Sequence, residues 1–135
     1  MNSLDLFRLD GKSALVTGGS RGLGKEMAIA LAEAGADVAI TSRSKETIRQ
    51  VAAEVSELVG RKVLPLVADV TKPDDVKRMV AEATEAFGKL DILVNNAGTN
   101  IRHLAHEYPL EEWEQIMGTN VTGVFLCCQA VLPGM

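Results

Sequence analysis

An apolar run that empties into a cluster of glycines constrains this chain more than any other feature. Ala14-Leu15-Val16-Thr17 leads into Gly18-Gly19-Ser20-Arg21-Gly22-Leu23-Gly24, and a helix-like segment, 23–34, follows at once. A strand, a tight turn and a helix N-terminus in that order aim the turn's N–H groups and the positive end of the helix dipole at one point in space. A Cβ in such a turn would block close backbone approach and forbid positive φ. The turn is an anion cradle, and the phosphates of a nucleotide are its expected guest.

The rest of the chain repeats this grammar. Strands are expected at Ser13–Thr17, Asp37–Ser42, Val63–Val67 and Ile92–Asn95, short and apolar without strict alternation, as strands covered on both faces should be. Helices are expected at about 23–34, 45–59 and 73–87. The first repeats apolar residues at Met27, Leu31 and Ala34, the third at Val76, Met79, Val80, Ala83 and Phe87. Gly35, Gly60 and Gly88 stand where these helices should stop, and Thr71-Lys72-Pro73-Asp74 reads as an N-cap followed by a first-turn proline. A polar loop, 99–109, then precedes a long helix from about Leu110 to Leu132, with Gly118 and Gly123 as its weak points. Its second half (Val121, Val124, Phe125, Leu126, Val131) is apolar over much of its surface and should be buried. The alternation predicts an α/β fold, a doubly wound parallel sheet with helices on both faces, in one domain over residues 1–135.

Composition narrows the partners. A net charge of −4 argues against nucleic acid and against an anionic membrane surface. No uninterrupted apolar run approaches the roughly 18 residues of a membrane span, and residues 1–10 mix acids and an arginine among their apolar side chains, unlike a secretory core. The expected location is the cytoplasm. Cys127 and Cys128 are adjacent and expected to behave as small buried hydrophobes. His103 and His106 have no cysteine or acidic cluster at ligand spacing, so no metal site is expected.

The glycine turn admits three readings. Gly19 to Lys25 satisfies the first seven positions of the nucleoside-triphosphate loop G-x-x-x-x-G-K-[ST], but the eighth is Glu26, a carboxylate where a hydroxyl must reach magnesium. A turn that only packs a helix on a sheet is the plainest reading. The third is a dinucleotide-binding turn spaced Gly18-x-x-x-Gly22-x-Gly24 instead of the usual G-x-G-x-x-G.

Three further landmarks bear on that choice: Asp69-Val70 after the third strand, Asn95-Asn96-Ala97-Gly98 at the end of the fourth, and Asn120 inside an apolar helical run that an asparagine ordinarily weakens. With Thr17 to Gly24 they fall in the order, and on the elements, of the short-chain dehydrogenase/reductase family, which the whole chain resembles. The resemblance implies a Rossmann-type sheet. It implies that Thr17, Gly18, Ser20, Arg21, Gly22, Leu23 and Gly24 wrap the pyrophosphate of a nicotinamide dinucleotide. Asp69 would accept from the adenine amino group with Val70 alongside, and Asn96, Ala97 and Gly98 would border the ribose. Asn120 would be catalytic, holding a water in a proton relay.

The second strand ends Ser42-Arg43, without the acid that grips a 2′-hydroxyl about 20 residues past the glycines. Arginines at 43 and 21 suit a 2′-phosphate, so NADP(H) is favoured over NAD(H). The family's catalytic Ser and Tyr-x-x-x-Lys have no counterpart: the only tyrosine is Tyr108, with Glu112 four residues on. The resemblance therefore implies about half of a family member, truncated after the fourth strand and the helix bearing Asn120. Alone it is expected to be marginally stable, aggregation-prone and inactive, and in full-length form a homo-oligomer acting on a small alcohol or ketone. The segment Thr99-Asn100-Ile101-Arg102-His103 is similar to that of gluconate 5-dehydrogenase-like members, with Arg102 facing a substrate carboxylate. The alternatives are the 3-oxoacyl-carrier-protein reductase branch and a non-catalytic dinucleotide-binding protein.

Overall fold

The alternation folds as four parallel strands, β1 (Ser13–Val16), β2 (Asp37–Ser42), β3 (Leu64–Val67) and β4 (Ile92–Val94), in the order β3-β2-β1-β4. The computed structural model describes residues 1–135. Helix α1 (Gly22–Glu33) joins β1 to β2, α2 (Lys45–Val59) joins β2 to β3, and α3 (Pro73–Phe87) carries the chain back across the sheet to β4. After β4 come α4 (Leu110–Met117), one wide π-turn (Gly118–Thr122) and α5 (Gly123–Val131). The strand order reverses at β1, so a crevice opens where the carboxyl ends of β1 and β4 diverge.

The period-two alternation of each strand sorts the core into two layers. Ala14 and Val16 of β1 and Val38 and Ile40 of β2 face α1 and α2, where Ala28, Ala32, Ile48 and Val55 meet them. Leu15 and Ala39 face the other way, toward Val76, Met79 and Ala83 of α3 and Cys127 and Val131 of α5. The two layers make the sheet doubly wound, as expected.

Several local expectations change. The buried ridge of α1 is Gly24, Ala28 and Ala32, while Met27 and Leu31 are only half-buried: small side chains let the helix approach the sheet, and the large ones flank the contact. The N-cap position of α3 falls to Lys72, without a side-chain bond, because the Thr71 hydroxyl donates to Asp69 Oδ1 at 2.6 Å instead. The strands β1, β3 and β4 are each one residue shorter than read.

The long helix is only half covered. Gly123, Cys127 and Val131 are buried, α5 packing against α3, but Trp113 (53% exposed), Val121 (53%) and Phe125 (60%) form an open apolar ridge. The helical stretch Leu110–Gly134 also corrects the membrane expectation: it has 25 residues and contains an 18-residue window of mean hydropathy 1.4, so it is long and apolar enough to cross a bilayer by length and composition. Scanning for an unbroken apolar run missed it because Gly118, Asn120 and Gln129 interrupt the run without interrupting the helix. In the fold its inner face is packed on α3. Burial pushes the Cys127 thiol up to about 11, with Cys128 adding to the shift, so Cys127 stays a protonated core residue.

At the opposite end of the sheet, Asp91 stitches β4 to β1. Its Oδ2 accepts from the Ser13 N–H at 2.9 Å, its own N–H donates to the Ser13 carbonyl at 3.0 Å, and Lys89 Nζ lies 2.9 Å away. Lys89 and the Ser13 N–H hold this carboxyl below its usual range against a smaller opposing effect of burial. A carboxyl lowered in the folded state stabilises fully above its unfolded value of about 3.9 and loses that contribution as pH falls through the folded value. The melting temperature of the chain is therefore expected to fall faster than that of Asp91→Asn as pH drops from about 5 to about 3; parallel melting curves would contradict the stitch.

Candidate nucleotide-binding site

The crevice is a cleft of about 960 Å³. Its floor is the turn after β1. Gly18 takes φ +63° and Gly22 φ +55°, the left-handed conformation that glycine adopts without strain. A Cβ on Gly22 would touch nothing within 4 Å, so the space above it is open to a ligand. Gly24 differs: a Cβ there would lie 2.3 Å from the Gly18 carbonyl oxygen, so this glycine exists for close packing of α1 on the turn. No side chain caps α1 at Arg21, which leaves the first-turn N–H groups facing the cleft as an anion site.

Thr17 ties the two halves of the crevice together. Its buried hydroxyl oxygen accepts from the N–H groups of Asn96 (3.1 Å) and Ala97 (3.0 Å), while its own N–H donates to the Val94 carbonyl at 3.1 Å. Asn96 Nδ2 returns the tie, donating to the Gly18 carbonyl at 2.9 Å. Asn95 turns away and donates to Cys128 Sγ at 3.3 Å, anchoring β4 to α5.

The outer wall comes from the ends of β2 and β3. Gly19 N–H donates to the Thr41 carbonyl at 3.0 Å, setting the turn beside Ser42 and Arg43. Arg43 and Arg21 are exposed and take part in none of the ion pairs that occupy other arginines. Asp69 Oδ1 accepts from the N–H (2.9 Å) and hydroxyl (2.6 Å) of Thr71. Burial raises the Asp69 carboxyl, but Thr71, Lys72 and Arg43 together outweigh it and hold the group below its usual range. The carboxylate is ionised at neutral pH and keeps Oδ2 for a donor.

Most predicted residues meet here. Gly18, Ser20, Arg21, Gly22 and Leu23 line the cleft with Ser42, Arg43, Asp69, Val70, Asn96, Ala97 and Gly98. Thr17 and Gly24 stand behind the lining, and Asn120 lies beside it in the π-turn. There Asn120 Oδ1 accepts from the Thr99 N–H and Nδ2 donates to the Thr99 carbonyl, both at 2.8 Å. One oxygen lone pair and one N–H of the amide are left for water. The fourth wall was missed: Glu114, Gln115 and Thr119 line the cleft from α4 and the π-turn. The signal lay in Gln115 and Thr119, four residues apart and so on one helix face, away from the apolar Trp113-Met117-Val121 stripe. His103 contacts Glu112 Oε2 and packs edge-on to Tyr108 with ring centroids 5.2 Å apart, so both rings serve to close the 99–109 loop.

A family model described as short chain dehydrogenase matches residues 12–135. The chain belongs to this family. Glucose 1-dehydrogenase of Gluconobacter oxydans is 42% identical over 125 residues, 93% of this chain and 47% of that protein. The 3-oxoacyl-[acyl-carrier-protein] reductase FabG of Staphylococcus epidermidis is 40% identical over 92% of this chain and 51% of its own length. Among solved structures, a short-chain type dehydrogenase/reductase from Mycobacterium marinum matches with a TM-score of 0.95 at 48% identity, covering 99% of this chain and 54% of that one. The Pseudomonas aeruginosa RhlG/NADP active-site complex matches with a TM-score of 0.89 at 41% identity, covering 99% of this chain and 51% of that one. The chain thus spans about half the length of its relatives. In this member of the short-chain dehydrogenase family, the open space over Gly22 beside an uncapped helix end fits a diphosphate.

The Thr17 hydroxyl is the tie to remove. Thr17→Val keeps the shape but leaves the Asn96 and Ala97 N–H groups without an acceptor, at a cost of about 2 kcal/mol or more in urea unfolding. Thr17→Ser, which keeps the hydroxyl and loses the methyl, is expected to recover most of the loss; a larger loss in Thr17→Ser than in Thr17→Val would show that the methyl, not the hydroxyl, matters.

Proposed function

We propose that this chain forms the dinucleotide-binding half of an NADP(H)-dependent oxidoreductase that moves a hydride between an alcohol and a ketone. The observation that carries the reading is the pair of unpaired arginines, Arg21 and Arg43, flanking a cleft floored by the glycine turn. Around the dinucleotide, first-turn N–H groups of α1 hold the diphosphate and Ser42 and Arg43 hold the 2′-phosphate, a charge-assisted contact that a 2′-hydroxyl cannot replace. Asp69 accepts from the adenine amino group beside Val70, and Ala97 and Gly98 admit the ribose. The bound nicotinamide supplies the hydride chemistry. Asn120, held against Thr99, keeps a water at its remaining amide positions for a proton relay.

The substrate oxygen needs an acid–base group, and the family's Ser and Tyr-x-x-x-Lys are absent from residues 1–135. The 135-residue chain is accordingly expected to bind the cofactor without reducing ketones. A sugar acid is the substrate class favoured by Arg102, exposed on the loop next to the cleft; the 3-oxoacyl-carrier-protein reductase reading is supported by the relatives of that name. The Trp113-Val121-Phe125 ridge favours a homo-oligomer, and a cytoplasmic location suits a nicotinamide enzyme.

Fluorescence titration is expected to give NADPH an affinity about tenfold or more above that of NADH, and Arg43→Leu to bring the two within about threefold, since a charge-assisted bond is worth about 1.5–3 kcal/mol. A tenfold preference for NADH in the unaltered chain would refute the cofactor assignment, and steady ketone reduction by it would refute the proposed division of labour.

A further inference from the structure

β3 is an outer strand of the sheet, so past β2 its backbone has no neighbour on the other side. An edge strand's outward N–H and C=O groups need partners from elsewhere. Here two side chains of α3 provide them. Arg78 Nη2 donates to the Val67 carbonyl at 2.9 Å, and Asp75 Oδ2 accepts from the Asp69 N–H at 2.9 Å. The two side chains also join each other, Arg78 Nη1 to Asp75 Oδ1 at 3.2 Å. Between these clamps, Ala68 N–H donates inward to the Ser42 carbonyl at 3.0 Å. The three-residue segment that ends in Asp69 is thereby fixed from the sheet side by β2 and from the outer side by α3.

This arrangement is more than edge protection, because of what Asp69 does with its side chain. Its Oδ1 is committed to Thr71, so the direction of Oδ2 follows from where the Asp69 backbone sits. Asp75 reaches that backbone directly, and Arg78 orients Asp75. Neither Asp75 nor Arg78 lines the nucleotide cleft. We infer that Asp75 and Arg78 are positioning residues for recognition of the cofactor's base: they hold Asp69 Oδ2 where it accepts from an exocyclic amino group and rejects an exocyclic oxygen in the same place. The inference rests on the adenine role of Asp69 in the proposed function. It adds that selectivity for adenine depends on a clamp outside the cleft.

The test compares NADPH with its hypoxanthine analogue, in which the 6-amino donor is a 6-oxo acceptor, by fluorescence titration of the 135-residue chain. The unaltered chain is expected to prefer NADPH by about tenfold, the size of one hydrogen bond to a charged acceptor. Asp75→Ala is expected to reduce that preference to about twofold or less, by freeing the Asp69 backbone, while the preference for NADPH over NADH set by Arg43 stays as it was. Asp75→Asn keeps an acceptor for the Asp69 N–H and should restore most of the base preference. Arg78→Met, on an exposed side chain, should give an intermediate value and serves if Asp75→Ala does not fold. Unchanged base preference in folded Asp75→Ala, or in Arg78→Met where that variant stands in, overturns the inference; so does parallel loss of base and 2′-phosphate preference, which would mark a merely structural role. An unaltered chain that binds both bases equally leaves the cofactor reading standing and sinks this one, whereas a chain that binds no dinucleotide sinks both.

Discussion

One buried hydroxyl, that of Thr17, sets the geometry on which the cleft depends. A parallel sheet whose strand order reverses at β1 must separate the chain leaving β1 from the chain leaving β4. Left alone, both ends would be loops with unpaired N–H groups near the core. Thr17 resolves this by accepting from Asn96 and Ala97, and Asn96 answers by donating to Gly18. The glycine turn and the Asn-Asn-Ala-Gly segment are therefore tied to each other by three hydrogen bonds. Their packing is tight enough that a Cβ on Gly18 would fall 2.9 Å from Ala97 Cα. Glycine at 18 is thus demanded twice, by φ and by its neighbour.

Much of this was legible because the chemistry is local. The glycine turn, Asp69 and the Asn-Asn-Ala-Gly segment each lie at the carboxyl end of a strand, and strand ends follow from apolar runs that stop. α2 and α3 were read nearly to the residue, since polar faces leave their apolar stripes distinct and glycines in left-handed conformation close both at Gly60 and Gly88. α1 was harder. It is apolar on several sides, so the large Met27 and Leu31 looked like its core face, whereas the contact is made by Gly24, Ala28 and Ala32. Hydrophobicity patterns weigh side chains by size, and close packing of a helix on a sheet prefers the small ones. The role of Asn96 was half legible: its place in the motif could be read, but not that its amide turns to Gly18, because that bond joins residues 78 apart. The contributions of Glu114, Gln115 and Thr119 were hidden by the apolar stripe on the same helix, which drew attention to burial.

Electrostatics sorts the arginines in a way that sequence does not. Arg8, Arg61 and Arg78 all face carboxylates, in pairs at 2.8, 2.8 and 3.2 Å. Exposed pairs of this kind contribute little to stability, about 0–1 kcal/mol each, but they remove positive charge from the surface. Of the four arginines outside these pairs, Arg21, Arg43, Arg49 and Arg102, two line the one cleft. Beside Arg21 the uncapped end of α1 adds its own partial positive charge to the floor of that cleft.

The irregular helix after β4 follows from having to serve both ends of that cleft. At one end, Gly123 presses against Val70, close enough that a Cβ would come 2.8 Å from Val70 Cγ2. At the other, Asn120 reaches the backbone of Thr99 and packs close to Gly98, where a Cβ would sit 3.2 Å from Asn120 Oδ1. Residues 120 and 123 lie on neighbouring turns of a helix, yet the groups they meet belong to different strands' ends. A wide turn at Gly118–Thr122, closed by the Gly123 N–H on the Gly118 carbonyl, accommodates an extra residue in the helix between the two contacts. Within that turn the Asn120 amide is paired with both backbone groups of Thr99. The asparagine that looks misplaced in an apolar helix is what allows one helix to brace both the Asp69-Val70 end and the Gly98-Thr99 end.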